Sequence, residues 1–172
     1  MIKQNGAEIA RLRKKIGVTQ TELAELFGVT LSTWQKKESE TSKETIGVKP
    51  GEFQYLQLLA GEHPVYKLVQ KKPGKAPITV KTKPHPQEIR RIREKCGYSV
   101  DDAAKEFGCA RHSWITKENP NLRGSLTVGE WNYFLLLADE HPGWTLENIN
   151  VGAGANIDPL FISFPTLSII KL

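Results

Sequence analysis

Two stretches of this 172-residue chain repeat one pattern, FGVTLSTWQKKE at residues 27–38 and FGCARHSWITKE at residues 107–118. Phe, Gly, Trp, Lys and Glu keep their places while the residues between them change. The correspondence continues on both sides, with twelve of 31 positions identical between 8–38 and 88–118, and nine of 14 between 51–64 and 129–142. The chain therefore contains two copies of one unit of about 60 residues.

Apolar periodicity predicts that each copy is built from helices. In the first copy, Ile9, Leu12 and Ile16 lie on one face of a helix that ends at a glycine. Thr19 and Glu22 form a capping-box pair that starts a second, shorter helix. The chain is therefore predicted to be mainly α.

The repeated tryptophans belong to a third helix in each copy. Trp34 and Trp114 are expected to point into the core, because most other side chains on these helices are polar. A fourth helix is predicted near residues 50–62. The sequences VYKL (65–68) and GWTL (143–146) are predicted to begin a short fifth helix.

The stretch GVTQTELAELFGVTLSTWQKKE at residues 17–38 resembles the DNA-binding domain of the lambda-repressor/Cro (XRE-type) helix-turn-helix family. The matching residues are Thr19, Gln20, Leu23, Ala24, Gly28, Val29, Trp34 and Glu38. The resemblance implies two tandem lambda-repressor-like five-helix bundles, each presenting its third helix to the major groove of double-stranded DNA.

The same resemblance implies which residues bind DNA. Gln20 would contact a phosphate, and Arg111 suits bidentate contact with guanine. The remaining base-reading candidates are Thr30, Leu31, Ser32, Thr33, Gln35, Lys36, His112, Ser113 and Thr116. The first helix of the second copy adds Arg90, Arg91 and Arg93. Val100 replaces Gln20, and Asp101 and Asp102 place negative charge near the DNA backbone, so a purely structural or dimerising second copy stays an alternative.

Charge and proline content divide the chain into four parts. The first copy spans residues 1–69 (copy 1), a basic linker 70–86, the second copy 87–150 (copy 2), and an apolar tail 151–172. The net charge is +5, and the linker contributes five lysines and no acid: Lys71, Lys72, Lys75, Lys81 and Lys83. These lysines are expected to contact phosphates, the alternative being a solvated tether.

Two short β-prone segments complete the prediction. Residues 78–82 (ITVKT) are predicted to form a strand within a linker long enough to span the roughly 34–36 Å between adjacent half-sites. The tail is expected to pair with that strand, pack on copy 2 or seal a homodimer, unless it is an extension added to the native chain.

Other classes of function are disfavoured by what the sequence contains. Cys96 and Cys109 correspond to Ile16 and Val29, so they are expected to fill apolar positions rather than form a disulfide or bind metal. No nucleophile–base, metal-binding or paired-carboxylate motif is present, which predicts a non-enzyme without cofactor or metal. The absence of a secretory signal and of a long apolar run favours a cytoplasmic protein.

These features predict a sequence-specific double-stranded DNA-binding protein. A transcriptional repressor of a mobile element is the first expectation. Two alternatives stay open, an accessory DNA-binding protein of plasmid transfer or replication, and an antitoxin-like protein-interaction module.

Overall fold

The structure, a computed structural model, describes residues 5–40, 47–72 and 77–150 and is mainly helical. The elements of copy 1 are α1 (Gly6–Ile16), α2 (Gln20–Leu26), α3 (Leu31–Glu38), α4 (Pro50–Ala60) and β1 (Tyr66–Gln70), the last of which extends by one residue into the linker. Those of copy 2 are α5 (Pro86–Lys95), α6 (Val100–Glu106), α7 (Arg111–Glu118), α8 (Val128–Leu137) and β2 (Trp144–Asn148). None of the helices within these ranges is long and apolar enough to cross a bilayer.

Local signals set the helix ends largely as the sequence predicts. Gly17 ends α1 with a φ of 82°, a left-handed conformation that glycine adopts without strain. Thr19 and Glu22 form the capping box of α2, and the Thr30 side chain caps α3 by accepting a hydrogen bond from the Thr33 N–H. Each copy thus begins with three short helices joined by tight turns.

The predicted fifth helix is wrong, because the residues after α4 and α8 form strands instead. β1 pairs with β2 in antiparallel fashion, from Tyr66 opposite Asn148 to Gln70 opposite Trp144. The pairing partner lies about 80 residues away in the other copy, so local periodicity carries no sign of it. The strands join the two copies in one sheet.

The two copies are related by an approximate two-fold axis. Leu68 pairs with Leu146, its own counterpart in the repeat, which an antiparallel pair allows only at a local two-fold. The helix contacts are reciprocal too: a Cβ on Gly51 would lie 2.6 Å from Phe107 Cδ1, and one on Gly129 would lie 2.7 Å from Phe27 Cε1. The copies therefore pack as a pseudo-symmetric pair.

Helices α4 and α8 form the centre of that pair, where one apolar core contains residues of both copies. Trp34 and Trp114 are both 0% exposed, which confirms their assignment to the core. Cys96 is buried, and Cys109 is half-buried against the same core, as their correspondence with apolar residues predicts.

Two buried glutamates at equivalent positions of α4 and α8 have different partners. Glu52 forms an ion pair of 3.1 Å with Lys37 of its own copy. Glu130 instead lies 3.6 Å from Lys49, which belongs to the other copy. Both carboxylates also cap their helix, Glu52 through the Lys49 N–H and Glu130 through the Thr127 N–H. The pseudo-symmetry is therefore broken at the buried charges.

The linker is anchored across the interface rather than stretched between separated domains. The Tyr55 hydroxyl donates to the carbonyl of Ile78 at 2.6 Å. The Asn132 side chain accepts from the Val80 N–H at 2.7 Å and donates to the Val80 carbonyl at 2.8 Å. These side-chain bonds take the place of strand pairing, so the predicted strand at 78–82 is not formed. The prediction for the tail concerns residues outside those that the structure describes.

Candidate nucleic-acid interface

The outer surface of α3 displays most of the base-reading candidates of copy 1. Thr30, Leu31, Ser32 and Gln35 are exposed, and Leu31 retains 40% of its accessible surface. The half-buried residues of the set are Thr33 and Lys36. The hydroxyls of Thr30 and Thr33 lie 2.9 Å apart within the helix cap, so both are partly engaged.

The corresponding surface of α7 carries charge in place of the apolar group. Arg111, His112 and Ser113 are exposed, whereas Thr116 is half-buried and donates its hydroxyl to the His112 carbonyl at 3.0 Å. Arg111 forms an ion pair with Asp101, with Nε 3.1 Å from Oδ1. The predicted guanine reader is therefore held beside an acid of the preceding helix.

Glu38, the last residue of α3, accepts hydrogen bonds from several side chains. It accepts two hydrogen bonds from Arg13, at 2.7 and 3.0 Å, and one from Trp34 Nε1 at 2.6 Å. Gln20, the predicted phosphate ligand, also donates to it at 2.7 Å. Although burial by itself raises the pKa of Glu38, these bonds together hold it below the ordinary glutamate value. The network fixes α3 against α1 and α2.

Copy 2 repeats this network around Glu118 with one donor fewer. Arg93 donates twice to Glu118, at 2.6 and 3.0 Å, and Trp114 Nε1 donates once. Val100 stands where copy 1 has Gln20, and its side chain has no hydrogen-bond donor. The partly buried Arg93 thus serves the packing of α7.

The other arginines proposed for the DNA surface of copy 2 also have acidic partners. Arg91 donates two bonds to Glu140, at 2.8 and 2.7 Å, and Arg90 pairs with Glu94 at 3.0 Å. The side chains of Arg90 and Arg91 are exposed as well as paired, so their contact with DNA stays a prediction. It is corrected for Arg93, whose side chain is largely buried beside Glu118. The counterpart of the Arg91 pair in copy 1 joins Arg11 to Glu62.

The linker lysines divide into two groups. Lys71 contacts Asp139 of copy 2 at 2.9 Å through its carboxylate, and at the same distance through its carbonyl. The linker sequence itself contains no acid, so this partner is brought to Lys71 by the fold. Lys72, Lys81 and Lys83 are exposed, and Lys75 falls outside the described residues.

Some contacts of this surface could not be predicted from the sequence. The Asp101–Arg111 pair joins residues ten positions apart in different helices, and only the α6–α7 turn brings them together. The one available signal is that both positions are uncharged in copy 1.

Within the described ranges, no group of three His, Cys, Asp or Glu residues is arranged to hold a metal ion. Comparisons with family models, curated proteins and solved structures found no match to this chain.

Proposed function

We propose that this protein binds double-stranded DNA in a sequence-specific manner, using α3 and α7 as two unequal recognition helices. The observation that carries the proposal is the exposed surface that α3 and α7 present at equivalent positions of two copies related by an approximate two-fold. This surface is polar except for Leu31 on α3 and Ile115 on α7. Each candidate helix follows a short helix and a tight turn, the arrangement that presents a recognition helix to the major groove. Repression of transcription in a mobile element is the most direct use of such a protein.

The exposed residues supply the chemistry for base recognition. Gln35 can pair with adenine, Arg111 with guanine, and Leu31 can contact a thymine methyl group. One amide hydrogen of Gln20 donates to Glu38, which leaves the second for a phosphate. The exposed lysines of the linker add sequence-independent attraction.

The two-fold relation between the copies bears on the form of the target. A DNA duplex has two-fold axes perpendicular to its own axis, so a two-fold protein matches an inverted repeat. Two copies in tandem along a chain would otherwise suggest a direct repeat. Because the helix surfaces differ, the two inverted half-sites should differ in sequence.

Selection of bound sequences from a random DNA pool by the full chain tests this proposal. We expect an enriched site with two inverted, unequal half-sites, occupied by a single chain. Gln35→Ala should relax base preference in one half only, and Arg111→Ala in the other only. No enrichment would refute DNA reading, whereas enriched direct repeats would refute only the two-fold mode. Occupancy of promoters or of transfer and replication origins in cells then separates a repressor from an accessory protein.

A further inference from the structure

Asp101 and Arg111 form a charged pair at the exposed end of the α6–α7 turn. Arg111 is the first residue of α7, and Asp101 is the second residue of α6. The Arg111 side chain retains 62% of its accessible surface and the Asp101 side chain retains 71%, so both charges reach solvent. An exposed pair of this kind contributes little to folding stability. The pair is therefore of interest for its position at the start of the candidate recognition helix and not for its contribution to stability.

Both positions of this pair differ between the two copies. The corresponding residues of copy 1 are Thr21 and Leu31, which are exposed and uncharged. The surrounding framework is the same in both copies, with the Phe, the Gly of the turn, the Trp and the Glu preserved. One copy thus places an acid beside an arginine where the other has neither.

We propose that Asp101 is a positioning residue that sets the base specificity of Arg111, an inference that rests on the proposed DNA-binding function. The carboxylate is held at Nε, the inner nitrogen of the guanidinium. The two outer nitrogens are the ones that then reach O6 and N7 of guanine together. Fixing a long side chain before binding reduces the conformational entropy lost when it meets the base.

The same carboxylate disfavours the wrong target. Arg111 can also contact a phosphate, a contact that carries no sequence information. Moving there would leave Asp101 unpaired close to a negatively charged backbone. Asp101 therefore lowers affinity for DNA in general and preserves it where guanine receives Arg111.

Asp101→Asn tests the inference in the full chain. On the selected site, Arg111→Ala first identifies the base pair that Arg111 reads. We expect Asp101→Asn to lower discrimination at that pair about five- to ten-fold, within the range of one base contact, and to raise affinity for random DNA several-fold. In the Arg111→Ala background the same substitution should no longer alter discrimination. Thr21→Asn, at the equivalent position of copy 1, is the matched control and should leave that base pair unaffected.

A graft into copy 1 gives an independent test. Leu31→Arg alone should add a weak preference for guanine in the other half-site, and Thr21→Asp with Leu31→Arg a preference several-fold stronger. Equal preference in the two grafts, or unchanged discrimination in Asp101→Asn, would overturn the positioning role while leaving DNA binding intact. Failure of the parent chain to select any sequence would instead overturn the proposed function itself. A role of Asp101 confined to the stability of α6 would shift melting without changing base preference.

Discussion

Glu38 and Glu118 explain, residue by residue, why parts of the repeat are identical. Each accepts bonds from an arginine of the first helix and from the tryptophan of the third, and all three residues recur between copies. A partly buried carboxylate needs these donors, because an unpaired buried charge is costly. The identities thus reflect one shared network.

Removing Glu38 should therefore destabilise the protein strongly. We expect Glu38→Ala to lower the free energy of unfolding by about 3–5 kcal/mol, since it leaves Arg13 partly buried without its acid. Urea denaturation followed by circular dichroism measures the change. Gln20→Val, which copies the arrangement of copy 2, is the matched variant and should cost less than about 1.5 kcal/mol. Equal losses in the two variants would contradict the central role of Glu38.

Two buried histidines should make stability depend on pH. Burial lowers the pKa of both His63 and His141 to about 4. Nδ1 of His63 accepts hydrogen bonds from the N–H groups of Val65 and Tyr66, and Nδ1 of His141 accepts one from the N–H of Gly143. A proton on that nitrogen would abolish these bonds. The neutral histidines therefore contribute their full share of folding stability above pH 6.5, the ordinary histidine pKa, and this share is lost as the pH falls from there towards 4.

The expected slope is about 1.4 kcal/mol per pH unit for each histidine in that window. Denaturation midpoints between pH 7.5 and 4.5 measure it, and His63→Asn should remove one histidine's share. His112→Asn, an exposed position, serves as the control. Hydrogen bonds from Arg11 and Arg91 lower the pKa values of Glu62 and Glu140 to about 2. The stability that these two acids contribute is therefore lost only below about pH 4.5, outside the measured range. A flat profile above pH 5 would contradict the burial of the histidines.

At the scale of elements, the contact between α4 and α8 depends on two glycines within helices. A Cβ on Gly129 would lie 2.7 and 2.8 Å from two ring carbons of Phe27, and 3.1 Å from Glu52 Cγ. Alanine normally stabilises a helix by up to about 1 kcal/mol relative to glycine. Overpacking should exceed that gain here.

Gly129→Ala is therefore expected to destabilise the protein by about 1–3 kcal/mol, against helix propensity. Gly51→Ala, the reciprocal position, should behave alike because its Cβ would meet Phe107. Gly47→Ala is the control, since a Cβ there meets no described atom within 4 Å. Thermal melting of the three variants measures the effects. Stabilisation by Gly129→Ala would show that the helices can separate to admit a methyl group.

The linker should contribute to DNA affinity through only some of its lysines. We expect Lys81→Gln and Lys83→Gln each to reduce the slope of log affinity against log salt by about 0.9 where a phosphate contact is lost. Lys71→Gln should instead leave that slope unchanged, because Lys71 already pairs with Asp139. Salt titrations on a selected and a random DNA measure all three. A reduced slope in Lys71→Gln alone would reverse the assignment.

At the scale of the whole molecule, a shared core predicts that the copies unfold together. Trp34→Ala should cost about 3–5 kcal/mol, as expected for a large buried side chain. The three remaining tryptophans of this variant, Trp114, Trp131 and Trp144, all belong to copy 2. Their fluorescence should therefore shift to lower urea together with the circular dichroism signal. An unchanged fluorescence midpoint would mean that the copies fold independently.

Much of this fold follows from local sequence signals, and its pairing does not. The caps at Thr19 and Thr30 and the inward tryptophans depend on neighbours within a few residues, so the sequence alone predicts them. Strand β1 depends on a partner in the other copy, and Lys71 on an acid 68 residues away. The same holds for the candidate DNA-binding surface. The sequence predicts Arg111 as a base reader from its residue type, but its pairing with Asp101 is seen only in the folded α6–α7 turn.

The unequal partners of Glu52 and Glu130 affect which halves can associate. Glu52 is neutralised within its own copy, but Glu130 relies on Lys49 of the other copy. In a pair of two second copies, Thr127 would occupy the place of Lys49 and leave that carboxylate buried without a lysine. When many identical chains fold close together, this penalty would favour pairing of copy 2 with copy 1 over pairing of copy 2 with copy 2 of another chain.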